Sequence, residues 1–89
     1  MARSTDQFPR ATRMLHLVDQ GLVPSRAAAL ALAVAALCDE QGTNTFIESE
    51  VAIEPLTRFA QALFSSGDEE SAAKVNRAAR DLAVDLGRQ

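Results

Sequence analysis

The sequence predicts an all-α domain, a compact bundle of four to five helices arranged as two helical hairpins. Three observations predict it. Alanine and leucine are abundant, while tryptophan and tyrosine are absent and β-branched residues are few. Apolar residues recur at three- and four-residue spacing along most of the chain. Prolines and glycines fall at the ends of these periodic stretches, where helices start and stop.

The first helix is expected over 9–20. Pro9 suits the first turn, where its missing N–H costs nothing, and Gly21 suits the left-handed position just past the end. Ala11, Met14, Leu15 and Val18 form its apolar stripe. After a tight connection at Leu22-Val23-Pro24, Ser25 is expected to cap a second helix over 26–41, ended by Gly42. This helix carries three apolar stripes: Ala27, Leu30, Val34 and Leu37; Ala28, Leu32 and Ala35; Ala29, Ala33 and Ala36. A surface helix has one such stripe. The second helix is therefore read as either the central post of the domain or half of a dimer seam.

Gly42-Thr43-Asn44 breaks the chain. Thr45 with Glu48 fits a capping box that opens a short helix through Ile53, and a kink or break is expected at Glu54-Pro55. The next helix runs to Ser65 with Leu56, Phe59, Ala60, Leu63 and Phe64 on one face. Ser66 with Glu69 forms a second capping box before a last helix over 68–86. In that helix Ala72, Val75, Ala79, Leu82 and Leu86 make a narrow seam. The chain divides into an N-terminal arm (1–8), one helical domain (9–87) and a tail (88–89). The stretches Thr12 to Gly42 and Thr57 to Gly87 echo each other, each a shorter helix, a turn and a longer helix. Their offset of 45 residues departs from the tetratricopeptide period of about 34.

Eighty-nine residues bury a limited core, about 60–65% of the surface the unfolded chain exposes. Small domains gain further burial from disulfides, metals or association. Cys38 is the only cysteine and His16 the only histidine, so neither an internal disulfide nor a zinc cluster is available. A homodimer is the expected remedy. No segment resembles a signal peptide, and the longest apolar run, Ala27 to Cys38, is shorter than the about twenty residues needed to span a bilayer. With one free thiol, a cytoplasmic location without membrane attachment is expected.

Catalytic patterns are missing: there is no Gly-rich phosphate loop, CxxC pair, GxSxG or HExxH. No cofactor or metal is expected, and the chain is read as a non-enzyme. Cys38, beside Asp39 and Glu40, is expected to be buried and unreactive, because acidic neighbours and burial both disfavour a thiolate. His16 is expected at the surface. Glu48, Glu50 and Glu54 read as a solvated face. Phe8 and Phe46 stand at or before helix starts, where an aromatic serves as a hydrophobic staple or as an anchor for a partner.

The segment Leu17-Val18-Asp19-Gln20-Gly21-Leu22-Val23-Pro24-Ser25-Arg26-Ala27-Ala28-Ala29-Leu30 resembles the helix–turn–helix half of ribbon-helix-helix repressors and antitoxins. The resemblance implies DNA binding by a strand ahead of the first helix, here Ala2 to Phe8, with Arg3, Thr5 and Gln7 facing the groove. Ala2, Ser4 and Asp6 make a poor buried face for such a strand. Residues 1–26 carry four arginines against two aspartates, and the rest five basic against ten acidic residues. This falls short of the basic stripe a nucleic-acid binder needs.

The sequence thus favours a small regulatory protein that pairs with itself and with an unidentified protein partner, sequestering, inhibiting or chaperoning it. The DNA-binding repressor or antitoxin is the alternative. Ala27, Leu30, Val34, Leu37, Phe8 and Phe46 are the candidate interface residues. A glutamate at Leu30 or Val34 is expected to destroy the fold or the dimer, since burying an unpaired carboxylate costs several kcal/mol.

Overall fold

The structure, a computed structural model, describes residues 7–42 and 49–87. These form four α-helices: α1 (Pro9–Asp19), α2 (Ser25–Gln41), α3 (Ile53–Ser65) and α4 (Glu69–Gly87), with a 3₁₀ turn at Ser49–Ala52 leading into α3. No strand occurs among the described residues. The radius of gyration is 12.0 Å, close to the value of about 12 Å for a folded chain of this length.

Both shorter helices end in the same way. In α1, the Gly21 N–H donates to Val18 O and the Leu22 N–H to Leu17 O. In α3, the Gly67 N–H donates to Phe64 O and the Asp68 N–H to Leu63 O. This is the Schellman pattern, which requires a left-handed residue, and Gly21 and Gly67 supply φ of 73° and 95°. Each turn reverses the chain, so α1 packs on α2 and α3 on α4. The pairs are joined through α2, which contacts α1, α3, α4 and the 3₁₀ turn. Within the single chain the second helix is thus packed against every other helix.

Several local expectations are corrected. Ser25 is the first residue of α2 and makes no cap. Pro24 precedes it in extended geometry, and the Pro24 carbonyl accepts the Ala28 N–H at 2.7 Å. The break expected at Glu54-Pro55 lies earlier, where the 3₁₀ turn gives way to α-helix between Ala52 and Ile53. Pro55 then falls in the first turn of α3, where N–H groups have no helical partner to lose. Ser66 does not cap α4. Its hydroxyl donates to Leu63 O, and Asp68 accepts the Ser71 N–H at 3.1 Å instead. The Thr45–Glu48 capping box lies outside the described residues.

The core is continuous. Leu56, Phe59 and Val75 are fully buried, Leu32 nearly so, and Phe8 stacks at a tilt on Phe59 with ring centroids 5.4 Å apart. The seam expected of the last helix is present: Ala72, Val75, Ala79 and Leu82 are buried and Leu86 packs against them. Phe64, expected on the core face of α3, is 61% exposed. It stands in the last turn of α3, beside Ala60, Gln61 and Asn76 at an open recess.

Candidate docking groove

Polar contacts tie the four helices together away from their apolar faces. Asp39 of α2 accepts the backbone N–H groups of Arg10 and Ala11 at the start of α1, at 3.1 and 2.8 Å. Arg58 of α3 bridges Glu40 of α2 and Glu54 of its own helix, at 3.1 and 2.7 Å. Its guanidinium pKa is raised, first by hydrogen bonding to Glu54 and then by the charge of Glu40. Lys74 of α4 reaches Asp19 of α1 at 2.7 Å, which raises the lysine pKa, the hydrogen bond to Asp19 being the largest cause. Arg26 and Asp85 pair at 3.4 Å between the start of α2 and the end of α4. That pair borders an open recess of about 310 Å³ lined also by Ser25, Ala29, Asp81 and Val84.

Among the described residues, one apolar face of α2 stays uncovered. The core takes Ala28, Ala29, Leu32, Ala33, Ala35, Ala36 and Leu37 of α2. On the other side of the same helix, Ala27, Leu30, Ala31 and Val34 face α1 across a groove of about 550 Å³. Ala35 and Cys38 complete this wall, and Arg10, Arg13, Met14 and Leu17 form the opposite one. The spacing on α2 (27, 30/31, 34, 38) and on α1 (10, 13/14, 17) is helical, so each wall is one face of its helix. Leu30 is 45% exposed and Leu17 36%. The groove arises because α2 is apolar all round, whereas α1, α3 and α4 together cover only part of its circumference.

The candidate interface residues therefore divide. Ala27, Leu30 and Val34 line the groove. Leu37 is 5% exposed and belongs to the core, one helical face away from the other three. Phe8, also 5% exposed, is a core residue packed on Phe59 of α3 and presents little surface to a partner. Phe46 lies outside the described residues, as do Arg3 and Thr5, while Gln7 is exposed. A glutamate at Leu30, expected to destroy the fold or the dimer, stands at a position that is half-exposed in the single chain. Helical periodicity could not separate Leu30 from Leu32 or Leu37, because every face of α2 reads as apolar. Arg13, Met14 and Leu17 line the opposite wall; Leu17, apolar but outside the core stripe of α1, is the one sequence signal for it.

Cys38 contributes to the floor of the groove and is a buried free thiol, while His16 is exposed on α1. Among the described residues no three His, Cys, Asp or Glu side chains are grouped to hold a metal ion, and no helix is long and apolar enough to cross a membrane. What the arrangement offers is an open apolar trough with two guanidinium groups on one wall. Compared with known protein families, with characterised proteins and with solved structures, the chain matches none.

Proposed function

We propose that this chain is a non-catalytic regulatory module that binds another protein by receiving a helix in the groove between α1 and α2. The single observation that supports the reading is the uncovered apolar wall of α2, where Leu30 is 45% exposed beside Ala27, Ala31 and Val34. Small residues on that wall let a partner backbone approach closely, and Leu30 and Val34 provide relief for its side chains to pack around. Each apolar side chain that such a helix buries contributes about 1.5–3 kcal/mol. After the costs of association, a few of them sustain binding on the order of 1 µM. That strength suits a protein that sequesters, inhibits or chaperones a partner reversibly.

The test compares the wild-type chain with Leu30→Glu as bait in its native host's lysate, each with and without nuclease, with circular dichroism showing that the variant stays folded. A partner protein retained by the wild type after nuclease treatment, and lost with Leu30→Glu, supports the reading. Partners captured equally by both baits would sink it, and recovery that depends on nucleic acid would point to the DNA-binding alternative.

A further inference from the structure

We propose that the groove is filled by α2 of a second copy of this chain, laid antiparallel so that the two α2 helices pair along their uncovered faces. The proposal rests on the groove being the helix-receiving surface described above, which a second copy occupies when no other helix does. It is carried by the order of side-chain sizes along α2.

Ala27, Ala31, Val34 and Cys38 all line the groove. They follow one another at steps of 4, 3 and 4 residues, the spacing of a seam between two helices. Leu30, 45% exposed, flanks this seam. The seam is its own complement in one direction only. In an antiparallel pair Ala27 stands opposite Cys38 of the second copy, and Ala31 opposite Val34. Every layer then sets a larger side chain against an alanine, as close packing of facing positions requires. A parallel pair sets alanine against alanine in two layers, and the contacts missing there are forfeited.

Charge leaves this face able to meet itself. The α2 helix has no charged residue between Arg26 and Asp39. Both of those are engaged within the chain: Arg26 pairs with Asp85, and Asp39 caps the start of α1. Arg10 and Arg13 are exposed on the α1 wall, where long stems can cover apolar surface with their charged heads in water. The Asp39 carboxylate stands at the same end of α1, so this rim is not a bare positive edge.

The size of the face sets the strength of the pair. The seam from Ala27 to Cys38 runs roughly 16 Å at about 1.5 Å per residue, or about three turns. With Met14 and Leu17 of α1 beside it, the contact belongs at the small end of specific interfaces, below about 1,200 Å² in total. The dimer is therefore weak, with a Kd on the order of 10–100 µM, and yields to a partner helix that binds at about 1 µM.

The experiment begins with sedimentation equilibrium of the full chain from about 5 to about 500 µM, a range that brackets this Kd. Wild type is expected to pass from monomer to dimer. Leu30→Glu, and Ala27→Glu at an exposed position, should stay monomeric throughout, with circular dichroism showing both folded. Direction is read by cross-linking. Ala27→Cys, oxidised with glutathione disulfide at high protein concentration, should form a covalent dimer whose peptides join position 27 to Cys38. Wild type, and Ala27→Cys combined with Cys38→Ser, should not cross-link. In each of these the two thiols lie roughly 16 Å apart along the antiparallel pair, beyond the Cα separation of about 7 Å that a disulfide tolerates.

A wild-type chain that stays monomeric throughout would overturn the second copy and leave the groove's other reading to the lysate comparison. A dimer that survives both glutamates would place the interface on another face and overturn the proposal. Cross-linking through Cys38 alone, or through position 27 alone, would show a parallel pair and overturn the antiparallel seam.

Discussion

The carboxylate of Asp39, near the end of α2, accepts a hydrogen bond from the backbone N–H of Ala11 at 2.8 Å, across 28 residues of sequence. Its other oxygen takes the Arg10 N–H at 3.1 Å. The residue at the cap position of α1 is Phe8, which has no side-chain oxygen and makes no capping bond. The start of α1 is thus capped from a neighbouring helix. The charge also sits where the helix dipole favours an anion.

Asp39→Ala is therefore expected to behave as the loss of an N-cap, at a cost of about 1 kcal/mol. In a domain of this size that lowers Tm by roughly 4–8 °C. Asp39→Asn, which keeps an accepting oxygen, should lose less. Thermal melts of the three proteins decide it, and equal melting temperatures would mean that the contact contributes nothing to stability.

Two leucines on α2 that look alike in sequence should respond differently. Leu32 is 2% exposed and Leu30 45%. Leu32→Ala is expected to cost about 2–5 kcal/mol, whereas Leu30→Ala should stay within about 0.5 kcal/mol of wild type. Urea unfolding measures both. A Leu30 variant as damaged as the Leu32 variant would show that something within the chain already covers the groove.

Adjacent residues of α3 give a second contrast. Phe59 is fully buried against Phe8, so Phe59→Ala should cost about 3–5 kcal/mol. A small domain has only about 5–15 kcal/mol in total, so this variant should be near its unfolding limit at moderate temperature. Arg58→Ala removes ion pairs in which the guanidinium faces water, and exposed pairs of this kind are screened. Its melting temperature should lie close to wild type, with any difference vanishing at high salt. A large, salt-insensitive loss would contradict that account.

The cap of α4 should be visible in pH dependence. Hydrogen bonding from the Ser71 side chain, and then from its backbone N–H, holds the Asp68 carboxyl below its ordinary value of 3.8. A group whose folded-state pKa is depressed stabilises the fold at pH above its unfolded value, and that contribution disappears as pH falls through the folded one. Wild type should exceed Asp68→Ala in stability by about 1 kcal/mol near neutral pH. The gap should hold down to about pH 5 and close as pH drops below the ordinary carboxylate range. A difference that stayed constant into that acidic range would exclude the ionised cap.

The sequence made legible whatever depends on near neighbours. Pro9, Gly21, Gly42 and Gly67 mark helix ends through their own backbone preferences, and the seam from Ala72 to Leu86 follows from spacing alone. Pro55 was misread because its meaning depends on where α3 begins, and the 3₁₀ turn before it leaves no periodic trace. Phe8 and Phe64 exchanged roles: the first packs inward on Phe59, 51 residues away, and the second is exposed in the last turn of α3. The groove was half legible. Ala27, Leu30 and Val34 were recognised as unusual, but only packing decides which of the three stripes of α2 the other helices leave open.

The alanines of α2 carry a consequence for how this chain tolerates change. Ala33 and Ala36 are completely enclosed, and an added methyl or larger group there overpacks the bundle at about 1–3 kcal/mol. Ala27 and Ala31 line the groove, where larger side chains would enter open space and leave the fold intact. Selection for folding therefore restricts the first pair and is indifferent to the second. Only selection for an occupant would keep Ala27 and Ala31 small, so the side chains permitted at those two positions separate the demands of folding from those of binding.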